Sequence, residues 1–429
     1  CDGVGPVVNL TQDVSYFTIQ AALDAATDGD VIEVAAGTYA ELINFTADNV
    51  TLQSADGAAT TTITGTAGSG ELGALVRFSA DGCTIDGFTL DHEESTASAA
   101  RIIGAKSSDG TTVTNCVLQN SQRAFGGDWY GSPSNITFDS NTFQNVVRAI
   151  SNTENINGMA VTDNTFNAVG NGIRLAGMTG DISVSGNVFT EAPVGYYYKA
   201  TAAAATTYPL LENVLANNTF LMNVSFADVE GGSYVDGVFA TLAEAIDDAE
   251  AGAELNIAAG TLTVSSQIDV DKSLTIQGAG QAATTIDGSG IAAPGYGFRV
   301  TASSVSLKDF AFNGGGATGL TYGLHFQPGT SDLALENLSI SACGINAIAM
   351  NGVNGQIGAN TITNVTTSGN GLYGLGLGAA QNVTVSGFTS ASNAGGDIGI
   401  YGSDYSSQTT SDLVFNEPLT LQGGFTLTK

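Results

Sequence analysis

The chain has 429 residues, 43% of them apolar and only 12% charged, and its 41 acids against 11 bases leave a formal net charge of −30. That apolar content argues against disorder, and the acidity argues against nucleic acid or an anionic membrane as partner, because phosphate is held by Lys and Arg. No apolar run approaches the ~20 residues of a membrane span, and the length suggests about two domains.

Residue 1 is a cysteine and not a methionine. In this it resembles a mature bacterial lipoprotein, in which signal-peptide cleavage leaves an N-terminal Cys whose thiol carries a diacylglycerol. Cys1 is therefore an expected lipidation site, and that anchor is the only expected link to a membrane. Cys83, Cys116 and Cys343 are widely spaced and read as buried free thiols, not as a disulfide framework or a metal site.

After a lead segment over 1–14, "TIQAALDAATDGD" (18–30) places Ile19, Ala22, Leu23 and Ala26 on one face, predicting a short helix over 18–26. Strand-like phrases then recur: "TIDGFTL" at 84, "TVTNCVL" at 112, "TFDSNTF" at 137, "AVTDNTF" at 160 and "SVSGNVF" at 183. Asn115, Asn141, Asn164 and Asn187 take equivalent places in them, 26, 23 and 23 residues apart. A short period of this kind, with no helical pattern between, predicts stacked coils that each give about three strands to three parallel sheets. Phe143, Phe166 and Phe189 then fall in one inward column. The bend asparagines are expected to adopt left-handed angles and to pass an amide bond to the next coil. Bend asparagines followed by strand residues also generate the sequons at Asn135, Asn364 and Asn382, so these need no glycan.

The helical pattern returns in "TLAEAIDDAEAGAE" (241–254), with Leu242, Ala245, Ile246 and Ala249 on one face and a helix expected over 241–251. "LTIQGAGQAATTIDG" (274–288) then repeats "VTLQSADGAATTTITG" (50–65), an internal duplication. The first coil of a solenoid exposes an apolar interior and unpaired edges, which a polar-backed helix covers. Two such helices predict two tandem β-helices, over 15–229 and 230–429, with "SLKDFAF" at 306, "ALENLSI" at 334 and "TVSGFTS" at 384 as coils of the second. The closing "NEPLTLQGGFTLTK" is a strand that either folds over its own last coil or pairs with another chain.

The segment "FTIQAALDAATDGDVIEVAAGTYAELI" (17–43) resembles the opening of right-handed parallel β-helix proteins of the pectin lyase-like superfamily, and the later phrases resemble its generic repeats. The resemblance covers nearly the whole chain and implies an all-β fold. It implies no single activity, because that superfamily spans lyases, hydrolases, esterases, tailspikes and adhesins. Gly37, Tyr39 and Glu41 resemble the opening phrase of pectin methylesterase, but the second copy keeps only Gly260, with Leu262 and Val264 at the other places. The esterase's catalytic phrases and the acid, base and water set of polygalacturonase are missing. "FTLDHEES" (88–95) resembles a pectate lyase phrase through Asp91 and His92, without that family's arginine motif.

Arg123 and Arg148 occupy nearly the same place in successive coils, and Arg174 falls close by in the next. Beside them come Asp128, Trp129 and Tyr130 from "GGDWYG", and Tyr196, Tyr197, Tyr198 and Lys199 from "GYYYKA". With coils about 5 Å apart, Arg123, Arg148, Arg174, Asp128, Trp129, Tyr130 and Tyr197 form a candidate surface that grips a sugar chain. The plainer alternative is bases that offset neighbouring acids, with aromatics marking an irregular coil. Asp91, Glu93 and Glu94 are candidates for Ca²⁺, and His325 reads as structural. The leading expectation is an extracellular or cell-surface protein, lipid-anchored at Cys1, with a structural or adhesive role and end-to-end self-association into filaments. The rivals are a polysaccharide lyase using Ca²⁺ in the first β-helix and a tailspike-like glycan binder.

Overall fold

A computed structural model describes residues 5–66, 73–95, 101–126, 131–151, 155–201, 211–221, 224–230, 233–316, 322–351, 360–401, 410–416, 418–422 and 425–428. The chain divides into two compact units, Cys1–Leu221 with Val229–Ala240, and Met222–Asp228 with Thr241–Lys429. The all-β parallel coil expected from the repeats is what the chain forms. No helix among the described residues is long and apolar enough to cross a membrane.

In the first unit the chain winds through three stacks of parallel strands. The first stack runs from Val31–Val34 and Thr51–Ser54 through Thr84–Asp86, Thr112–Thr114, Ser134–Asp139 and Asn157–Thr162 to Thr179–Ser185. The second begins at Gly37–Ala40, Thr61–Thr64 and Thr89–Ser95 and ends at Val188–Phe189 and Thr219–Phe220. The third begins at Ile43–Phe45, Ala74–Phe78 and Arg101–Ala105. It continues through the far halves of Val117–Gly126, Thr142–Ser151 and Thr165–Ala176, whose near halves belong to the second stack, and reaches Val194–Thr201.

In-register parallel pairing puts like residues one above another at the inter-strand spacing. Phe143, Phe166, Phe189 and Phe220 accordingly stack face to face, with centroids 4.8, 4.6 and 4.7 Å apart. Beside them runs an amide ladder: Asn141 Nδ2 donates to Asn164 Oδ1 (3.0 Å), Asn164 to Asn187 (3.1 Å) and Asn187 to Asn218 (2.9 Å). Each of those oxygens also accepts the backbone N–H of the donating asparagine. Asn115 is not a rung of this ladder, contrary to the sequence reading. Cys116 holds that place and donates its backbone N–H to Asn141 Oδ1 at 2.9 Å. Asn115 stands one residue earlier with φ 51°, level with Ser140, Asp163 and Gly186 (φ 57°, 56° and 71°), and bonds Asp86 instead. The left-handed turn and the buried amide are therefore tasks of two consecutive residues.

The first coil is covered more thoroughly than by a helix alone. Val7–Asn9 lies antiparallel on Val31–Val34, and Val14–Tyr16 lies antiparallel on Val7–Asn9. The helix Ile19–Ala25 buries Ile19, Ala22 and Leu23, and its N-cap Thr18 accepts from Ala21 N–H. Asp30, 2% exposed, knots hairpin to helix by accepting from Asn9 Nδ2, Gln12 Nε2 and Thr27 N–H.

In the second unit the first stack runs from Glu254–Ile257 to Ser411–Asn416. The other two are seven-stranded sheets that run from Gly260–Thr263 to Thr420–Leu421 and from Ile268–Val270 to Phe425–Thr428. Val224–Phe226 lies antiparallel on Leu255–Ile257. The helix Leu242–Asp248 begins at Thr241, whose hydroxyl accepts from Glu244 N–H. The C-terminal strand Phe425–Thr428 pairs in parallel with Ile398–Tyr401, so the tail adds the last turn of the coil and does not fold back over it.

Candidate functional site

Every Lys and Arg in residues 1–221 sits on, or directly after, a strand of the third stack: Arg77, Arg101, Lys106, Arg123, Arg148, Arg174 and Lys199. The third-stack sequences themselves ("ALVRF", "RIIGA", "SQRAFG", "VVRAIS", "VGNGIRLA") contain no acid. In a chain with 41 acids, this face is a cationic strip.

The strand register brings Arg123 beside Arg148. The next residue of that column is Asn171, not Arg174. Arg174 lies three residues further along and pairs with Tyr197, its guanidinium carbon 4.1 Å from the ring centroid, a cation–π contact. The sequence reading thus placed two of its three arginines in one column. Arg123 is half-buried and Arg148 exposed, and among the described residues neither guanidinium has a hydrogen-bond or ion-pair partner. Burial, then the charges of Arg148 and Arg101, lower the Arg123 pKa. Arg101, 6% exposed, adds to the strip by donating from Nη1 to Gly126 O at 3.1 Å, and Arg77 Nε is buried without a hydrogen-bond acceptor.

Asp128, Trp129, Tyr130 and Cys1 lie outside the described residues, as does the side chain of Glu94. Asp91 and Glu93 do not face a common centre. Asp91 accepts from Gln119 Nε2 (2.7 Å), Asn120 Nδ2 (3.0 Å) and Glu93 N–H (2.9 Å), and heads two short amide ladders, Gln119–Gln144 and Asn120–Asn145. Glu93 accepts from Thr64 Oγ1. Among the described residues no group of three or more His, Cys, Asp or Glu gathers as a metal site. His92 is fully buried with Nδ1 3.2 Å from Ser121 Oγ, and burial lowers its pKa against the opposing charges of Asp91 and Glu93.

Tyr39 and Glu41 have structural tasks. Tyr39 OH donates to Ala35 O. Glu41 accepts the first N–H groups of the cap helix, Ile19 to Oε1 (3.1 Å) and Gln20 to Oε2 (3.0 Å), a carboxylate at the positive helix end.

Sequence reasoning missed a second constellation, on the third stack of the second unit. His325, structural by the sequence reading, packs its ring against both Tyr296 (centroids 4.6 Å) and Tyr322 (4.8 Å), which also stack on each other. Its Nδ1 is 2.6 Å from the Gln327 amide and its Nε2 3.3 Å from the Asn351 amide. Burial and the Arg299 charge lower the His325 pKa to about 4, so the ring is neutral near pH 7. The available signal was a repeated Tyr-Gly at the strand starts: "YGF" at 296, "YGL" at 322 and "YGL" at 373.

A family profile described as "Periplasmic copper-binding protein (NosD)" matches residues 40–241. No protein of curated function matches the chain at a significant level. Similar solved structures include the A-module of a mannuronan C-5 epimerase from Azotobacter vinelandii, at 13% identity and TM-score 0.26, covering 93% of this chain and 94% of that one. A polygalacturonase from Erwinia carotovora is also similar, at 13% identity and TM-score 0.24, over 97% and 95% of the two chains. At TM-scores of this size the superpositions decide nothing, and the coil stands on the strand registers above.

Proposed function

We propose that the chain is an extracytoplasmic β-helix protein that binds an acidic polysaccharide along the cationic strip of its first unit. The observation that carries this reading is the Arg123–Arg148 pair, two guanidinium groups held in register without an acidic partner among the described residues, in a chain of 41 acids. Like charges about 5 Å apart repel by about 1 kcal/mol where water screens them and by about 3 kcal/mol at an effective dielectric of 20. An anionic polymer laid along the stack relieves that repulsion. Guanidinium forks match carboxylates bidentately, so a polyuronate is the substrate class favoured; Tyr197 is buried beneath the Arg174 guanidinium and offers the polymer no ring face. Adhesion at a surface is then adhesion to the polymer.

The matched family's description names copper, and the described donors of the matched segment do not fit that metal. Within residues 40–241 the described soft donors are His92, Cys83, Cys116, Met159 and Met178. Copper selects converging thiolates, thioethers and imidazoles. Burial pushes the Cys116 thiol up to about 12 and raises that of Cys83, whose Sγ donates to Ala47 O. His92 turns its Nδ1 to Ser121.

The test is calorimetric titration with polygalacturonate and with alginate oligomers at low and moderate salt. Binding that weakens with salt and drops at least about tenfold in the Arg123→Ala/Arg148→Ala protein is expected. A double variant that keeps the parent's circular dichroism and binds both polymers as tightly as the parent overturns the proposal.

A further inference from the structure

The third stack of the second unit presents a surface of different chemistry. One column of register there reads Arg299, His325, Ala349, Gly376 and Gly399. Its neighbour reads Asn351, Gly378 and Tyr401. The glycines have a steric cause. A Cβ on Gly378 would lie 2.5 Å from the Tyr401 ring, one on Gly376 2.9 Å from the Tyr401 hydroxyl, and one on Gly399 2.5 Å from the Tyr373 ring. Small residues are therefore needed for these two tyrosines to lie down on the sheet. The rings of Tyr373 and Tyr401 are stacked at 6.4 Å and 25°, and those of Tyr296 and Tyr322 at 5.7 Å and 19°.

All four tyrosines are half-buried, so ring surface remains open to solvent. The polar tip of Tyr401 is tied down: its OH donates to Asn351 Oδ1 at 3.1 Å, and burial pushes its pKa up to about 12. Around the rings lie the Asn346, Asn351 and Gln327 amides and the neutral His325. Arg299, the charge beside His325, already faces Asp269 at 3.6 Å. Rings held flat by backbone, ringed by amides and a neutral imidazole, and free of net charge match the apolar faces and hydroxyls of pyranoses.

We infer that this surface is a second ligand site, and that it takes an uncharged hexose polymer. The site stands independently of the cationic site in the first unit, because no residue is shared and the chemistry is different.

The experiment is affinity electrophoresis of the full chain in native gels cast with laminarin, hydroxyethyl cellulose, galactomannan or soluble starch. Each gel is run beside a polygalacturonate gel, with Arg123→Ala/Arg148→Ala as a second lane. Retardation by at least one neutral polymer is expected. It should persist in the arginine variant and fall at least about fivefold in apparent affinity in Tyr373→Ala/Tyr401→Ala. Tyr373→Phe/Tyr401→Phe keeps the ring faces and should retain most of the retardation. Gly399→Ala, which tilts the Tyr373 ring without removing it, should give an intermediate loss. If none of the four polymers retards the parent, or if retardation is undiminished in a Tyr373→Ala/Tyr401→Ala protein with parental circular dichroism, the inference is wrong. Loss of polygalacturonate binding alone would count against the first site only.

Discussion

The third stack of the first unit carries Arg77, Arg101, Arg123, Arg148 and Arg174, whereas that of the second carries Tyr296, Tyr322, Tyr373 and Tyr401 with His325 among them. Inward positions of the two stacks are interchangeable in kind: Val76, Ile103, Phe125, Ile150 and Ile173 in one, Phe298, Leu324, Ile348, Leu375 and Ile398 in the other. The residues that set the surface chemistry stand beside that inward column: Arg101, Arg123 and Arg148, like Tyr296, Tyr322 and Tyr373, two places before it, and Arg77, Arg174 and His325 one place after it. The comparison teaches that ligand chemistry in such a coil is read across one stack, at fixed offsets from its inward column, and not from a contiguous motif.

Reversing one charge should break that contrast most strongly. Arg148→Glu places a carboxylate beside Arg123 and in the polymer's path, and about a 100-fold loss of polygalacturonate affinity is expected at low salt. Binding to a neutral polymer should stay within a factor of two. Parallel losses for both polymers would show that the substitution acts through the fold and would dissolve the distinction between the faces.

The scaffold can be struck instead. Asn164 is fully buried and its amide serves both the rung before and the rung after. Asn164→Ala leaves the buried Asn141 backbone N–H unpaired, while the Asn141 amide keeps its bond to Val113 O, at about 1–3 kcal/mol, whereas Asn115→Ala, at a left-handed turn, should cost about 1 kcal/mol through backbone strain and the lost Asp86 bond. Chemical denaturation of the two variants ranks them. The opposite order would restore Asn115 to the place beside Asn141, Asn164 and Asn187 that the sequence reading gave it.

That misplacement shows what the sequence could and could not reveal. Repeat spacing made the parallel coil, the Phe143–Phe166–Phe189 column and both cap helices legible, because these follow from period and hydrophobic alternation. It could not say which of two adjacent bend residues turns and which bonds, since Asn is suited to both. Nor could it see that Arg174 misses the Arg123–Arg148 column by three residues, because coil lengths differ and only the pairing register fixes the offset. The tyrosine surface was hidden for the same reason, its members being drawn from four coils. The hairpin Val7–Asn9 and Val14–Tyr16 was hidden because antiparallel pairing carries no repeat signal.

The caps differ as sharply as the faces, and acid should expose the difference. Asp30 has a lowered pKa, first through the Thr27 backbone bond and, against burial, through Asn9, Thr27 and Gln12. A carboxylate of this kind adds stability above its unfolded value of 3.8, and that part is lost as pH falls below 3.8 through the lower folded value. Its place in the second unit is taken by Ala253, which has no proton to gain. Thermal melts of the parent should therefore decline more steeply between about pH 4 and pH 2.5 than those of Asp30→Asn, which is already weakened at neutral pH because its amide faces donors. Parallel pH profiles would remove Asp30 from the account.

The smallest effect concerns how each cap helix ends. In the second unit Lys272 Nζ donates to the carbonyls of Ile246, Asp247 and Ala249 at 2.8, 2.8 and 2.9 Å, a cation at the negative end of Leu242–Asp248. The first unit has Asn49 at the corresponding place, left-handed at φ 55° and bonded through Nδ2 to Asp28 Oδ1 at 2.7 Å. Lys272→Asn imports the side chain of one cap into the other, but Asp28 has Ala251 as its counterpart. The transplanted amide therefore lacks its acceptor, while three carbonyls lose their donor to water. A loss of about 1 kcal/mol is expected in denaturant titration, and Lys272→Asn/Ala251→Asp should recover part of it. Recovery would mean that the two caps are alternative solutions to one problem, the exposed carbonyls of a two-turn helix. A double variant no more stable than the single one would mean that the ammonium acts on the helix dipole itself, which a neutral amide cannot replace.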